Sequence, residues 1–79
     1  MQEIIVYSQP DCPPCKIMKM FLDEYQVSYT EKNIKADKQA LKELTNKHKS
    51  YSTPTIVIDG QVIIGFDPTV LKRELNIQD

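Results

Sequence analysis

The chain has 79 residues, enough for one small domain over residues 1–79 and too few for a second core. Its content, 41% hydrophobic and 27% charged, is that of an ordinary globular domain, and a formal net charge of −1 argues against nucleic acid or an anionic membrane as the main partner. No apolar run approaches the roughly 20 residues that span a bilayer, and nothing after Met1 reads as a signal peptide, so a cytoplasmic protein is expected.

Ile4-Ile5-Val6-Tyr7 is a near-continuous apolar run rich in β-branched residues, the pattern of a central strand covered on both faces. Ser8-Gln9-Pro10-Asp11 breaks it. Pro13 suits the first position of a helix, which makes Cys12 its N-cap. Ile17, Met18, Phe21, Leu22 and Tyr25 then recur at three- and four-residue intervals as one apolar stripe. Val27 to Glu31 alternates apolar and polar, as a half-exposed strand does. Asp37 can cap a second helix from Lys38 to His48, with Ala40, Leu41 and Leu44 inward and its mixed charges in solvent.

Thr53-Pro54 leads into a third strand, Thr55-Ile56-Val57-Ile58, and Asp59-Gly60 is a two-residue hairpin turn into a fourth, Gln61 to Ile64. Asp67-Pro68 repeats the pattern of an N-cap followed by proline, opening a last helix that buries Val70, Leu71 and Leu75. The order is β-α-β-α-β-β-α. A right-handed parallel β-α-β unit joined to an antiparallel hairpin predicts an α/β fold: a mixed four-stranded sheet with three helices on its two faces.

Cys12 and Cys15 are the only cysteines, and they flank Pro13-Pro14. A loop this short cannot staple a whole fold. A thiol at the first turn of a helix, however, meets unpaired backbone N–H groups and the positive end of the helix dipole, and both favour thiolate. Thiolate attacks disulfides, and a second thiol one turn away can resolve the product. Cys12, the more accessible at the cap, is therefore assigned to attack and Cys15 to resolve. Free cysteine titrates near about 8.5, and comparable helix-start positions bring it to roughly 3.5–7.5. Lys16 and Lys19 would add positive potential and Asp11 would oppose it.

Metal chemistry is the alternative. A zinc site takes four protein ligands, or three and a water. Beyond the cysteines the chain offers carboxylates and one histidine, His48, which reads as a helix C-terminal residue facing the dipole. A zinc or iron–sulfur site would have to be shared between two chains through Cys12 and Cys15. Within one chain no metal set and no tightly bound cofactor is assigned. Pro54 must stand at the start of its strand, where it loses no ladder hydrogen bond. Beside the cysteine pair it is expected to follow a cis bond, leaving the backbone of Thr53 to pair with an extended peptide or tripeptide.

The chain resembles the glutaredoxin branch of the thioredoxin superfamily. The resemblance rests on Tyr7-Ser8-Gln9-Pro10-Asp11-Cys12-Pro13-Pro14-Cys15, Lys32-Asn33-Ile34, Ser52-Thr53-Pro54-Thr55, and Asp59-Gly60 followed by Gly65-Phe66, in order over nearly the whole chain. It implies a thioredoxin fold, a redox disulfide between Cys12 and Cys15, and reduction of protein disulfides or glutathione mixed disulfides. The implied partners are disulfide-containing proteins, with glutathione as co-substrate or thioredoxin reductase as reductant, and the protein is expected to act as a monomer.

Two departures bear on the substrate. Glutathione-using glutaredoxins usually carry a basic residue where Gln9 stands, and a Gly-Gly pair with a nearby Asp where this chain has Gly65-Phe66-Asp67-Pro68. The latter run is similar to that of redoxins which supply electrons to ribonucleotide reductase and are recharged by thioredoxin reductase. The Cys-Pro-Pro-Cys centre is closer to the glutaredoxin motif. Phe66 reads either as a plug at the sheet end or as an aromatic that touches the partner, and Tyr51 as a flank of the site.

Overall fold

Strand β1 (Ile4–Ser8) lies second in a sheet ordered β2-β1-β3-β4 in the computed structural model, which describes residues 3–77. Its parallel neighbour β2 (Thr30–Asn33) pairs Ile5 with Thr30, and its antiparallel neighbour β3 (Thr55–Ile58) pairs Tyr7 with Thr55. Strand β4 (Gln61–Ile64) returns along β3 through a turn in which Asp59 and Gly60 have φ of 49° and 89°. Two successive positive φ values match the right-handed twist of a tight hairpin, as the Asp-Gly pair predicts.

Side-chain alternation sorts the sheet into two faces. Ile4, Val6, Ile56, Ile58 and Ile63 meet Met18 and Leu22 of helix α1 (Pro13–Glu24) and Leu71 of helix α3 (Pro68–Glu74). Tyr7 and Val57 point the other way, against Ala40 of helix α2 (Lys38–Lys42) and Leu44 just beyond it. The four residues of β3 are all buried, as a strand covered on both sides requires. The architecture is the expected thioredoxin-type α/β sandwich.

Four expectations are corrected. The second strand starts at Thr30 rather than Val27. Gln26 takes the left-handed conformation (φ 56°), and the N–H groups of Gln26 and Val27 donate to the carbonyls of Asp23 and Leu22 at 3.0 and 2.8 Å. This closes α1 with a Schellman turn, and Val27 supplies its apolar contact instead of a ladder position. The second helix is not α-helical to His48. It passes into a π-helical turn (Glu43–Lys47), with the His48 N–H donating to Glu43 O at 3.0 Å. Ala40 and Leu44, four apart, share the buried line, whereas Leu41 lies about 100° further round the helix and is 42% exposed. Ile17, assigned to the inward stripe of α1, is 50% exposed.

Candidate active site

The antiparallel register of β1 and β3 sets the loop that leaves Ser8 beside the loop that enters Thr55. Cys12 ends the first of these loops as the N-cap of α1, in an extended conformation, with Pro13 and Pro14 filling the first helical turn. Proline lacks the N–H that a first turn leaves unpaired, so both fit there without loss. The first free N–H is that of Cys15, and it donates to Cys12 Sγ at 3.2 Å. The two cysteines are joined as a disulfide with Cα atoms 5.2 Å apart. Cys15 is 1% exposed, packed under the helix start, while Cys12 is partly open to solvent.

Thr53 and Pro54 face this pair from the second loop, and the bond between them is cis. Thr53 Oγ1 lies 3.6 Å from Cys12 Sγ and accepts a hydrogen bond from Gln9 Nε2 at 2.9 Å. Gln9, Cys12 and Thr53 therefore form one polar cluster across the two loops. The Pro54 carbonyl accepts from the Gly65 N–H at 2.8 Å, which ties the β4–α3 turn to the same place. Gly65 has φ of 84°, and a Cβ there would meet nothing within 4 Å. Conformation, not space, requires glycine at this turn.

Sequence reasoning missed the support beneath Pro54. Thr55 donates its hydroxyl proton to Ser52 O at 2.7 Å, and the Ser50 and Thr55 hydroxyl oxygens are 2.8 Å apart. With the Thr55 proton committed, Ser50 donates to Thr55. Both residues are buried, so this pair pins the loop that carries Thr53. The available signal is the hydroxyl-rich run around a single proline, which by itself reads as loop composition.

Phe66 packs inward and is also open on one side. Its ring stands edge-on to Phe21, centroids 5.7 Å apart, and packs on the core, yet it also lines an open groove of about 650 Å³ with Ile17, Met20 and Phe21. Neither cysteine lines that groove. Asp67 is committed to α3, where its carboxylate accepts from the Val70 N–H at 3.3 Å. Tyr51 is 81% exposed, two residues before Thr53.

Lys19 is engaged elsewhere than expected. Its ammonium pairs with Glu31 at 2.9 Å, and the same carboxylate oxygen accepts from Ser8 at 2.6 Å. The Ser8 hydroxyl, and then Lys19, hold the Glu31 carboxyl below the usual carboxylate range, while Glu31 holds the Lys19 ammonium above its ordinary value. On the other face, Tyr7 donates to Glu43 at 3.0 Å and Lys32 donates to the same oxygen at 2.7 Å. Burial, reinforced by Glu43, pushes the Tyr7 hydroxyl up to about 12. His48 caps the π-helical turn with its ring 5.5 Å from that of Tyr7. Burial, and then Lys47, lower its proton affinity against the pull of Glu43. Among the described residues no three His, Cys, Asp or Glu side chains converge as a metal-ligand set.

A dithiol centre at the start of α1, on a sheet of order β2-β1-β3-β4, is that of a thioredoxin-fold disulfide oxidoreductase. The family model for glutaredoxin matches residues 4–63, and the chain belongs to the glutaredoxin family. It is 34% identical over 70 residues, 89% of its length, to an uncharacterized glutaredoxin-like 8.6 kDa protein in the rubredoxin operon of Clostridium pasteurianum, covering 93% of that protein. A crystal structure of a mutant of the thioredoxin-like protein BC3987 superimposes with a TM-score of 0.94 at 50% identity, covering 99% of this chain and 100% of that one. The glutaredoxin-like NrdH-redoxin of Escherichia coli shares the fold, with a TM-score of 0.81 at 20% identity over 90% of this chain and 92% of its own. Among the described residues no helix is long and apolar enough to cross a membrane.

Proposed function

We propose that the chain is a dithiol reductant of protein disulfides in the cytoplasm, with Cys12 as the attacking thiol and Cys15 as the resolving one. The supporting observation is the asymmetry of the pair: Cys12 caps the helix, partly open to solvent, and accepts the Cys15 N–H, while Cys15 is buried. A thiolate on Cys12 is stabilised by that N–H and by the helix dipole.

In the reaction, Cys12 thiolate attacks one sulfur of the substrate disulfide. The Cys12–substrate bond forms, and the other substrate sulfur leaves as thiolate and takes a proton from water. Cys15, having given its proton to water, then attacks Cys12 Sγ, the second substrate sulfur leaves as thiolate and takes a proton in turn, and the Cys12–Cys15 disulfide closes. Two electrons pass from the protein to the substrate, which ends as two thiols.

Gln9 and the Gly65-Phe66-Asp67-Pro68 turn favour a protein substrate and thioredoxin reductase as the source of electrons, with glutathione as the slower co-substrate. Gln9 supplies no charge for a glutathione carboxylate, and the Asp67 carboxylate is already used in the α3 cap. Phe66 and the apolar groove beside it offer surface to a protein partner. The partner class implied by the Gly-Phe-x-Pro run is an enzyme that oxidises its own dithiol at each turnover, such as ribonucleotide reductase. The backbone of Thr53 and the Pro54 ring would lie along the substrate chain, with Tyr51 at its flank. The test follows re-reduction of the oxidised protein by glutathione and, separately, by NADPH with thioredoxin reductase. The reductase route is expected to be faster; faster reduction by glutathione would overturn the assignment.

A further inference from the structure

We propose that Gln9 is a positioning residue that turns the Thr53 hydroxyl into a hydrogen-bond donor toward Cys12 Sγ, rather than a contact for substrate. In the disulfide, Cys12 Sγ carries no proton and can only accept. Thr53 Oγ1, 3.6 Å away, must therefore be the donor in that contact. Gln9 places an amide nitrogen 2.9 Å from the same hydroxyl, and an amide nitrogen has protons to give and no lone pair to accept with. Gln9 thus occupies a lone pair of Thr53 and leaves the single hydroxyl proton free to face the sulfur. Donation to an oxygen polarises its own O–H, which strengthens the second bond in the chain.

On reduction the acceptor changes from a neutral disulfide sulfur to a thiolate, and the hydrogen bond becomes charge-assisted. The thiolate then has two donors already in position, the Cys15 N–H and the Thr53 hydroxyl. The inference rests on the reading of Cys12 as the attacking thiol, and it gives Gln9 a task that needs no charge. A carboxylate at position 9 would do the reverse, accepting the Thr53 proton and turning its lone pairs toward the sulfur. The charged and titratable groups on the segments that surround Cys12 are Asp11, Lys16 and, once reduced, the buried Cys15 thiol on its own segment, with Tyr51 on the Thr53 loop and Asp67 on the Gly65 turn. Asp11, Lys16, Tyr51 and Asp67 are exposed, and all five groups stay constant across the variants compared.

The experiment titrates both cysteines of the reduced full chain by NMR of 13Cβ-labelled cysteine, in the unaltered protein and in Gln9→Leu, Gln9→Glu, Thr53→Val, Thr53→Ser and the double variants. Gln9→Leu is expected to raise the Cys12 pKa, and Gln9→Glu to raise it by roughly one unit, tenfold less thiolate at a given pH. In the Thr53→Val background the Gln9→Leu shift should disappear, because the relay is gone, and the Gln9→Glu shift should shrink to what the charge introduced at position 9 exerts through space. Thr53→Ser, which keeps the hydroxyl, should restore the dependence on residue 9. Shifts of equal size in the unaltered and Thr53→Val backgrounds, or no shift in Gln9→Leu, would overturn the relay while leaving the mechanism of exchange intact. A lower pKa for Cys15 than for Cys12 in the unaltered protein would instead overturn the reading on which the relay rests.

Discussion

The Gly65 N–H donates to the Pro54 carbonyl across 2.8 Å, so the turn after β4 and the proline opposite the cysteines are one unit. Gly65 holds φ at 84° in that unit. A side chain there meets no steric obstacle but forces a left-handed conformation, which costs a non-glycine residue roughly 1–2 kcal/mol. Gly65→Ala is therefore expected to lower Tm by about 4–8 °C per kcal/mol lost, as measured by thermal unfolding. Gly65→Asn should cost less, since asparagine enters this region more readily. An Ala variant as stable as the parent would show that the turn relaxes without loss.

The Ser8–Glu31–Lys19 cluster joins β1, β2 and α1, and it makes Glu31 one of the carboxyls through which acid destabilises the fold. The Ser8 hydroxyl and Lys19 lower the Glu31 pKa in the folded chain relative to its ordinary 4.5. A lowered pKa contributes stability at pH above the ordinary value, and that contribution is lost as pH falls through the folded one. Glu31→Gln should flatten the decline of Tm below about pH 4.5 and lower Tm at pH 7. Parallel acid limbs for parent and variant would remove Glu31 from the cause.

Tyr7 acts at the opposite end of the scale. Its hydroxyl is raised from 10.0 to about 12 by burial and by Glu43. A raised pKa means that the folded chain keeps a proton the unfolded chain releases, so stability is full below pH 10 and is lost as pH climbs toward 12. Tyr7→Phe should remove that alkaline loss, while costing about 1 kcal/mol near neutrality through the lost bond to Glu43. Urea unfolding near neutrality and again at about pH 11, between the unfolded and folded values, measures both. An unchanged alkaline slope in Tyr7→Phe would contradict the assignment.

The strands, the caps at Cys12, Asp37 and Asp67, and the Asp59-Gly60 hairpin are legible in the sequence because each follows from local chemistry. Proline after a capping residue, or Asp before Gly, restricts a few dihedrals wherever it occurs. The start of β2 is not legible in this way, since Val27 and Tyr29 are apolar through packing on the core, while pairing with β1 begins only at Thr30. The π-helical turn is likewise a tertiary outcome: Glu43 and His48 both engage Tyr7, a residue 36 positions from Glu43 along the chain. The Lys38–Lys47 charges read as a solvated face, yet Glu43 serves a buried hydroxyl.

At the site, the cysteine pair and Pro54 stand out by residue type and spacing. The role of Gln9 does not, because a glutamine after a strand looks the same whether it faces substrate or Thr53. Only the meeting of the loops after β1 and before β3 brings Gln9 to the Thr53 hydroxyl. Lys19, on α1, reads as a charge near the thiol because its partner Glu31 lies on β2, out of reach of any local pattern.

The division of labour between the cysteines is tested most directly by incubating Cys12→Ser and Cys15→Ser, each reduced, with a protein disulfide and resolving the products on a non-reducing gel and by mass. Cys15→Ser should accumulate a mixed disulfide at Cys12, and Cys12→Ser should neither trap substrate nor turn over. Full disulfide reduction by Cys12→Ser, or trapping at Cys15, would contradict the assignment of Cys12 as the attacking thiol.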